Sequence, residues 1–299
     1  MRRLGILCVV LPLAALVAAC GCSREPIERD RVEWIAMGTV ASLQTRGTNL
    51  AEDVPSSAVL ARALSVTKDV ELLLNAHSPD SELSRLAALS DDEVLESCDR
   101  TASVDASVRA RPCYEAAFAL AKASGGAFNP RWHGTNTLDL GAIAKGFAVD
   151  LAADAPPEGS VDMLLDFGGN LKSLRGIWRT GVKDPNGVGF AAVVELREGE
   201  ALATSATYYR GSHIYDGRTG KPVTNGVASV TVLCDSAMWA DGLSTTLFVL
   251  GPEEGRAFLE GTARTLVGGR GVAALWVLSD GRQAKFDPGA RFISAEQGP

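Results

Sequence analysis

At 299 residues, with 46% apolar and 22% charged side chains, the chain is long enough to bury a substantial core in one large domain or two small ones. Its net charge of −7 leaves no basic stripe for a phosphate backbone, and 6% aromatic content provides few platforms for stacking on single strands. Nucleic acid is therefore excluded as the main partner, and a small ligand suits the composition better.

The chain opens with Arg2 and Arg3, an apolar stretch from Leu4 to Val17, and small residues ending at Cys20, in the order of a secretory signal. VAAC at 17–20 resembles a bacterial lipobox. Residues 1–19 are thus expected to be removed as a signal peptide and Cys20 to be lipidated. Residues 20–31 would form a polar tether, holding a domain of residues 32–299 at the periplasmic side of a membrane, outside the cytoplasm. The plainer alternative is a signal or anchor whose cysteine is incidental. Cys98 and Cys113 are open to pairing, Cys234 in its apolar run reads as a buried thiol, and no CxxC or Cys–His cluster suggests zinc.

After the tether, RVEWIAMGTVASLQT reads as one strand of mixed alternation. Between Ala58 and Asn75, Leu60, Leu64, Val66, Val70, Leu73 and Leu74 recur near helical spacing. SPDSE at 78–82 is a turn, from which Ser81 caps a short helix through Arg85 and Leu86. The polar stretch 90–110 reads as an irregular surface excursion. A helix over 113–123 stops at SGG, AFNPRWHGTNT is loop, and another helix covers roughly 141–153. VDMLLDFGGNLKSLRG is strand, Gly-Gly turn, strand, and β segments follow around 178–183, 190–197 and 227–233. SAMWADGLSTTLFVLG is helical, and GVAALWVLSDGRQAKFD closes as a hairpin over Asp280-Gly281. Helices and strands mix without a βαβ period or internal repeat. That predicts an α+β fold of mixed β-sheets with packed helices, in one interwoven unit.

Four stretches carry polar groups that a purely structural sequence would not need. Asp241 and Thr245 lie four residues apart on one helix face, a carboxylate and a hydroxyl suited to a hard cation such as Mg²⁺. They equally suit a helix-start aspartate followed by a threonine bonded back to the preceding turn. His213 in SHIYDGRTG can move a proton or polarise a phosphate, or it can fix a loop with Ser212 and Asp216. The adjacent glycines of DFGGN permit close backbone approach to a ligand or simply a tight turn. In LDLGAIAKGFAVD, Asp139 can cap the following helix, Lys145 can reach anionic groups, and the Ala142 carbonyl is open for coordination. The other description of that segment is a capped amphipathic helix with a solvated lysine.

In order and spacing these stretches resemble one family, the bacterial FAD:protein FMN transferases or ApbE family, over roughly residues 33 to 280. The similarity runs through AMGT at 36–39, HSPDSELSRL, SGGAFNP, LDLGAIAKGFAVD, FGGNLKSLRG, ALATSATYYR, SHIYDGRTGKP and ADGLSTTLFVLG. The chain departs from the family pattern at His77, where tyrosine is usual, at Asn129, where aspartate is usual, and at IYDG, in place of IIDP. TSA at 204–206 replaces TSG, and Ser244 takes a position where some members add a second metal-binding aspartate.

The resemblance implies an ApbE-like flavin transferase fold. It also implies Mg²⁺-dependent transfer of FMN from FAD to a threonine or serine hydroxyl of a target flavoprotein, such as a membrane redox-complex subunit, with release of AMP. Asp241, Thr245 and the Ala142 carbonyl would hold Mg²⁺, with Ser244 adding a weaker contact. Lys145 and Asp139 would position FAD. Met37, His77, Ala127, Phe128, Asn129 and Tyr215 would line its pocket, and His213 would assist proton transfer or orient phosphate. Two alternatives use the same residues. One is an FAD-binding lipoprotein without catalysis, and the other is an Mg²⁺-dependent FAD pyrophosphatase that yields FMN and AMP.

Overall fold

The computed structural model describes residues 28–47, 58–100, 108–155, 161–207 and 214–295. The signal segment, Cys20, Cys22 and His213 lie outside the described residues. The tether assignment is corrected at its end: residues 28–31 belong to the first strand, β1 (Glu28–Ala36). The single strand expected across 32–45 is likewise a hairpin. β1 turns at Met37-Gly38 into β2 (Thr39–Gly47), with Ala36 opposite Thr39. Both turn residues have positive φ, 52° and 68°, as a two-residue hairpin loop with right-handed strand twist requires.

Helices α1 (Ala58–Leu74), α2 (Glu82–Leu86), α3 (Asp91–Ser97), α4 (Arg111–Ala123) and α5 (Ala144–Ala153) follow. Ser81 caps α2 by accepting from the Ser84 N–H. The segment expected to be irregular contains α3, held by a capping box in which Ser90 and Glu93 satisfy each other's backbone N–H groups. The next strands are β3 (Asp162–Phe167), β4 (Asn170–Arg175), β5 (Trp178–Lys183), β6 (Phe190–Leu196) and β7 (Ala201–Ala206). The short pair β8 (Tyr215–Asp216) and β9 (Lys221–Pro222) precedes β10 (Val227–Cys234). Helix α6 (Ala237–Phe258) is kinked at Gly251-Pro252, and β11 (Ala273–Leu278), β12 (Gln283–Phe286) and β13 (Phe292–Ser294) complete the fold.

Eight strands form an antiparallel sheet in the order β1-β2-β3-β4-β7-β10-β11-β12, and a second sheet runs β13-β6-β5. Because successive strand residues face opposite sides, the large sheet is buried on both. Met163, Leu165, Ala201, Ala203, Val230 and Trp276 pack under the helices. Leu164, Leu202, Leu233 and Leu275 pack against Trp178, Val182 and Val194 of the smaller sheet. The result is three layers: helices, large sheet, small sheet. Cys98, Cys113 and Cys234 are buried free thiols, so Cys98 and Cys113 do not pair.

Candidate active site

The site begins with two helices that cap each other. Gly146 is the third residue of α5, so its N–H has no partner within the helix; it donates to Asp241 Oδ2 on α6 at 2.9 Å. In return Asp150 of α5 accepts from the N–H groups of Ala237 and Met238 in the first turn of α6, both at 3.0 Å. Asp150 also takes the Ser236 hydroxyl at 2.6 Å and pairs with Lys172 at 2.9 Å. Only glycine fits at 146: a Cβ there would lie 2.1 Å from the Ala237 carbonyl oxygen and 2.8 Å from Asp241 Cβ. The Lys-Gly step thus brings α5 and α6 into backbone contact, which places Lys145 beside Asp241.

Asp139 does not cap α5. Its carboxylate accepts from Gly141 N–H at 2.8 Å within the preceding turn, and the position before the helix is taken by Ile143, which makes no side-chain cap. Nor is Asp241 a helix-start residue, since Ser236 caps α6 by accepting from Trp239 N–H. Asp241 is 5% exposed. Burial pushes its carboxyl above the ordinary value; the Lys145 charge, the Gly146 N–H and the Asn170 amide act against that rise. Lys145 Nζ lies 3.9 Å from Asp241 Oδ2 and donates to the Gly141 carbonyl at 3.1 Å.

These groups line a cavity of about 830 Å³ between the α5 entry, α6, the start of β2, the β3–β4 turn and β5. Its wall includes His77, Ala127, Phe128, Asn129, Asp139, Ala142, Lys145, Tyr215, Asp241 and Thr245, all singled out in the sequence. Two expected members stand apart. Met37 is in the hairpin turn, with its side chain packed on the core and its N–H donated to Glu71. Ser244 is fully buried and bonded back to the Asp241 carbonyl at 2.8 Å, with its hydroxyl 2.8 Å from Ser205. Both lie off the cavity wall. The Thr245 hydroxyl is not bonded back to its own helix; it meets Ser205 Oγ at 3.0 Å.

Other wall residues were missed, and Trp132, Asp166 and Ser205 bear most directly on the site. Trp132 stacks on Tyr215 with ring centroids 4.2 Å apart, making an aromatic plate at one end. Its signal was a tryptophan inside an otherwise polar loop. Asp166 carries a half-buried carboxyl whose affinity for its proton is raised by partial burial, against which the Gly169 N–H acts. Ser205 supplies the hydroxyl between Ser244 and Thr245. The 127–139 loop itself is fixed by Arg131, whose guanidinium donates to Asp91 Oδ1 at 2.8 Å and to the carbonyls of Ala87, Leu89, Thr135 and Thr137.

Asp241, Thr245 and Ala142 all line this cavity, and a carboxylate, a hydroxyl and a backbone carbonyl are the kinds of donor that suit a hard divalent cation. Among the described residues no cluster of three or more His, Cys, Asp or Glu could hold a metal by itself. A cation here would need further oxygens from a ligand, which suits a phosphate-bearing substrate.

Residues 131–267 match the model of the ApbE family. The chain is 43% identical over 130 residues to the FAD:protein FMN transferase of Rhodobacter capsulatus, covering 39% of this chain and 25% of the relative. The transferase of Vibrio cholerae is 41% identical over 140 residues, 41% of each chain. That of Treponema pallidum is 28% identical over an alignment of 355 residues, with 94% of this chain and 92% of the relative covered. The match therefore spans a quarter to about two-fifths of the first two relatives. Among solved structures, flavin transferase ApbE from Vibrio cholerae has a TM-score of 0.66 at 23% identity, over 87% of this chain and 97% of that one. The ApbE protein from Thermotoga maritima has a TM-score of 0.66 at 21% identity, over 86% and 97%. These structures share the α+β fold.

Proposed function

We propose that this domain transfers FMN from FAD to a threonine or serine hydroxyl of another protein and releases AMP. The observation that carries it is the convergence on one cavity of a buried carboxylate, a hydroxyl one helical turn away, a lysine, and a stacked aromatic pair. The acceptor oxygen forms a bond to the phosphorus of the FMN half, the bond from that phosphorus to the bridging oxygen breaks, and AMP leaves with the electron pair. The hydroxyl proton passes to His213, the base the sequence suggests.

Such a reaction needs charge neutralisation and alignment more than a covalent catalyst. Asp241, Thr245 and Ala142 would hold Mg²⁺, whose chemistry there is to offset the charge of the pyrophosphate oxygens. Lys145 adds a fixed cation at the start of α5, beside the Asp241 carboxylate. Trp132 and Tyr215 offer an apolar plate for a flat ring, and Asn129, Ala127 and Phe128 continue that wall.

The test is incubation of the domain with FAD, Mg²⁺ and a candidate flavoprotein. A covalently fluorescent protein band with equimolar AMP is expected. FMN and AMP without a labelled protein would assign the chain as a pyrophosphatase instead, and bound but unsplit FAD would leave a binding protein. We also propose that Cys20 carries a lipid that holds the domain at an extracytoplasmic membrane surface, on the strength of VAAC at 17–20. An unmodified mature terminus elsewhere, found by mass spectrometry, would refute that.

A further inference from the structure

One wall of the cavity is the edge of a strand. Successive side chains of a strand point to opposite sides of its sheet. Four consecutive residues of β5, Thr180, Gly181, Val182 and Lys183, nevertheless line the same cavity. That is possible where the cavity runs along the backbone. β5 ends the three-stranded sheet, and among the described residues no strand pairs with its other side. In an antiparallel pair alternate residues turn their N–H and C=O away from the partner. β5 therefore presents a row of backbone donors and acceptors to the cavity mouth. The row is bounded at Ile177, whose carbonyl accepts from Arg46 at 2.7 Å.

The two faces of this strand differ. Trp178 and Val182 are buried inward, towards Leu164 and Leu202, and Thr180 lies on their side. Arg179, Gly181 and Lys183 face outward. Phe190, itself 58% exposed, lies over Gly181, where a Cβ would come 2.4 Å from its ring. Among the described residues Arg179 makes no salt bridge, and it stands as an exposed cation beside the open edge.

We propose that the acceptor protein presents its hydroxyl on an extended segment that adds to the free edge of β5 as a fourth strand. Main-chain hydrogen bonds at Thr180–Val182 hold it, and an acidic side chain sits beside Arg179. This rests on the transferase function proposed above and names how the acceptor is bound. An added strand alternates like any other. Residues sharing the face of Thr180 and Val182 turn inward over Leu171 and Leu202, which also line the cavity, and their neighbours turn towards Arg179 and Phe190. The hydroxyl residue belongs to the first set and the acidic residue to the second, so an odd number of positions separates them. Recognition by backbone pairing leaves the remaining side chains of the acceptor loosely specified.

The test uses a library of short synthetic peptides, each with one central threonine, incubated with the full chain, FAD and Mg²⁺. Flavin-labelled members are recovered by fluorescence and sequenced. A labelled peptide is then N-methylated at one backbone position at a time. Labelling should fall about tenfold at alternate positions and hold at the intervening ones, as expected when one main-chain hydrogen bond is lost at each sensitive site. In Arg179→Glu the selected acidic residue should give way to a basic one, with FAD turnover into water unchanged. Labelling insensitive to methylation, or sensitive without alternation, overturns the added strand while transfer stands. FAD split to FMN and AMP with no peptide or protein labelled overturns transfer, and the strand with it.

Discussion

The buried carboxylate of Asp241 is both a cap for α5 and the one full negative charge offered with Thr245 and Ala142, and two substitutions separate these roles. Asp241→Ala removes the acceptor for the Gly146 N–H, leaving it unpaired in a buried contact. That costs about 1–3 kcal/mol, or a melting point lower by roughly 2–4 °C for each kcal/mol in a domain of this size. Asp241→Asn keeps an oxygen for Gly146 and removes only the charge. The lost attraction to Lys145 at 3.9 Å is about 4 kcal/mol at an effective dielectric of 20. It is offset by relief of a desolvation penalty of several kcal/mol. The asparagine variant should therefore melt close to the wild type. Both variants should lose about a thousandfold or more in AMP release, since a neutral donor set is too weak to hold Mg²⁺ against its hydration. Added Mg²⁺ should raise the melting point of the wild type and leave the asparagine variant unchanged. Melting curves and AMP release on the same preparations decide the matter. An asparagine variant with near-normal turnover would show that Asp241 is a cap and nothing more.

Gly146→Ala should push α5 from α6, because its Cβ meets the Ala237 carbonyl at 2.1 Å; a loss of about 3 kcal/mol is expected in a urea titration. Lys145→Ala should weaken FAD binding about tenfold with the fold intact, and an unchanged dissociation constant would remove Lys145 from the site. Trp132→Ala should cost roughly three- to tenfold in FAD affinity if its ring stacks on the flavin or adenine, again read by titration. Burial opposes ionisation of Glu200, but Arg291 at 2.6 Å and the Arg197 N–H outweigh it and hold the carboxyl below its ordinary value. A depressed carboxyl stabilises the fold above its unfolded value and loses that contribution as pH falls through the folded one. Glu200→Gln should therefore flatten the loss of urea resistance below about pH 4.3.

Much of the fold was legible because its elements follow simple periods. The apolar spacing from Leu60 to Leu74 marks α1, and Asp280-Gly281 marks the last hairpin. What escaped lay where local chemistry departs from common turn and cap patterns. Met37 with positive φ disguised the first hairpin, since methionine is not a residue expected in such a turn. The box of Ser90 and Glu93 was readable but sat in a polar stretch with few apolar residues to set a period. Asp139 was taken for the cap of α5 because it precedes that helix in sequence. The cap comes instead from Asp241, 95 positions away from Gly146, and no local pattern reveals such a partner. Most of the cavity wall was legible because its residues came as recognisable stretches. Trp132, Ser205 and Asp166 were not, because the 127–139 loop, β7 and the end of β3 are distant in sequence and meet at one wall only in the folded chain.

The two departures at the aromatic end of the cavity are physically one. The Asn129 amide donates to the Gly217 carbonyl at 3.1 Å, and its oxygen accepts from Arg131 N–H at 2.8 Å. An aspartate at 129 could accept from Arg131 but has no proton for Gly217, so it would set a carboxylate oxygen against a carbonyl. Gly217 in turn donates to the Ala127 carbonyl at 3.2 Å. A proline there has no proton to give, and the Cβ of any other residue would lie 2.3 Å from Asn129 Cβ and 2.5 Å from the Gly126 carbonyl oxygen. Asparagine at 129 and glycine at 217 therefore require each other: the first supplies the donor, the second the space and the returning N–H. Together they tie the 127–131 loop to the turn that carries Tyr215, and this holds the Trp132–Tyr215 stack in register at the cavity wall. The aspartate and proline usual in the resembling family would demand a different pairing between these two segments. The substitutions at 129 and 217 thus describe a rebuilt wall with its hydrogen bonds satisfied, rather than a site losing its parts one by one.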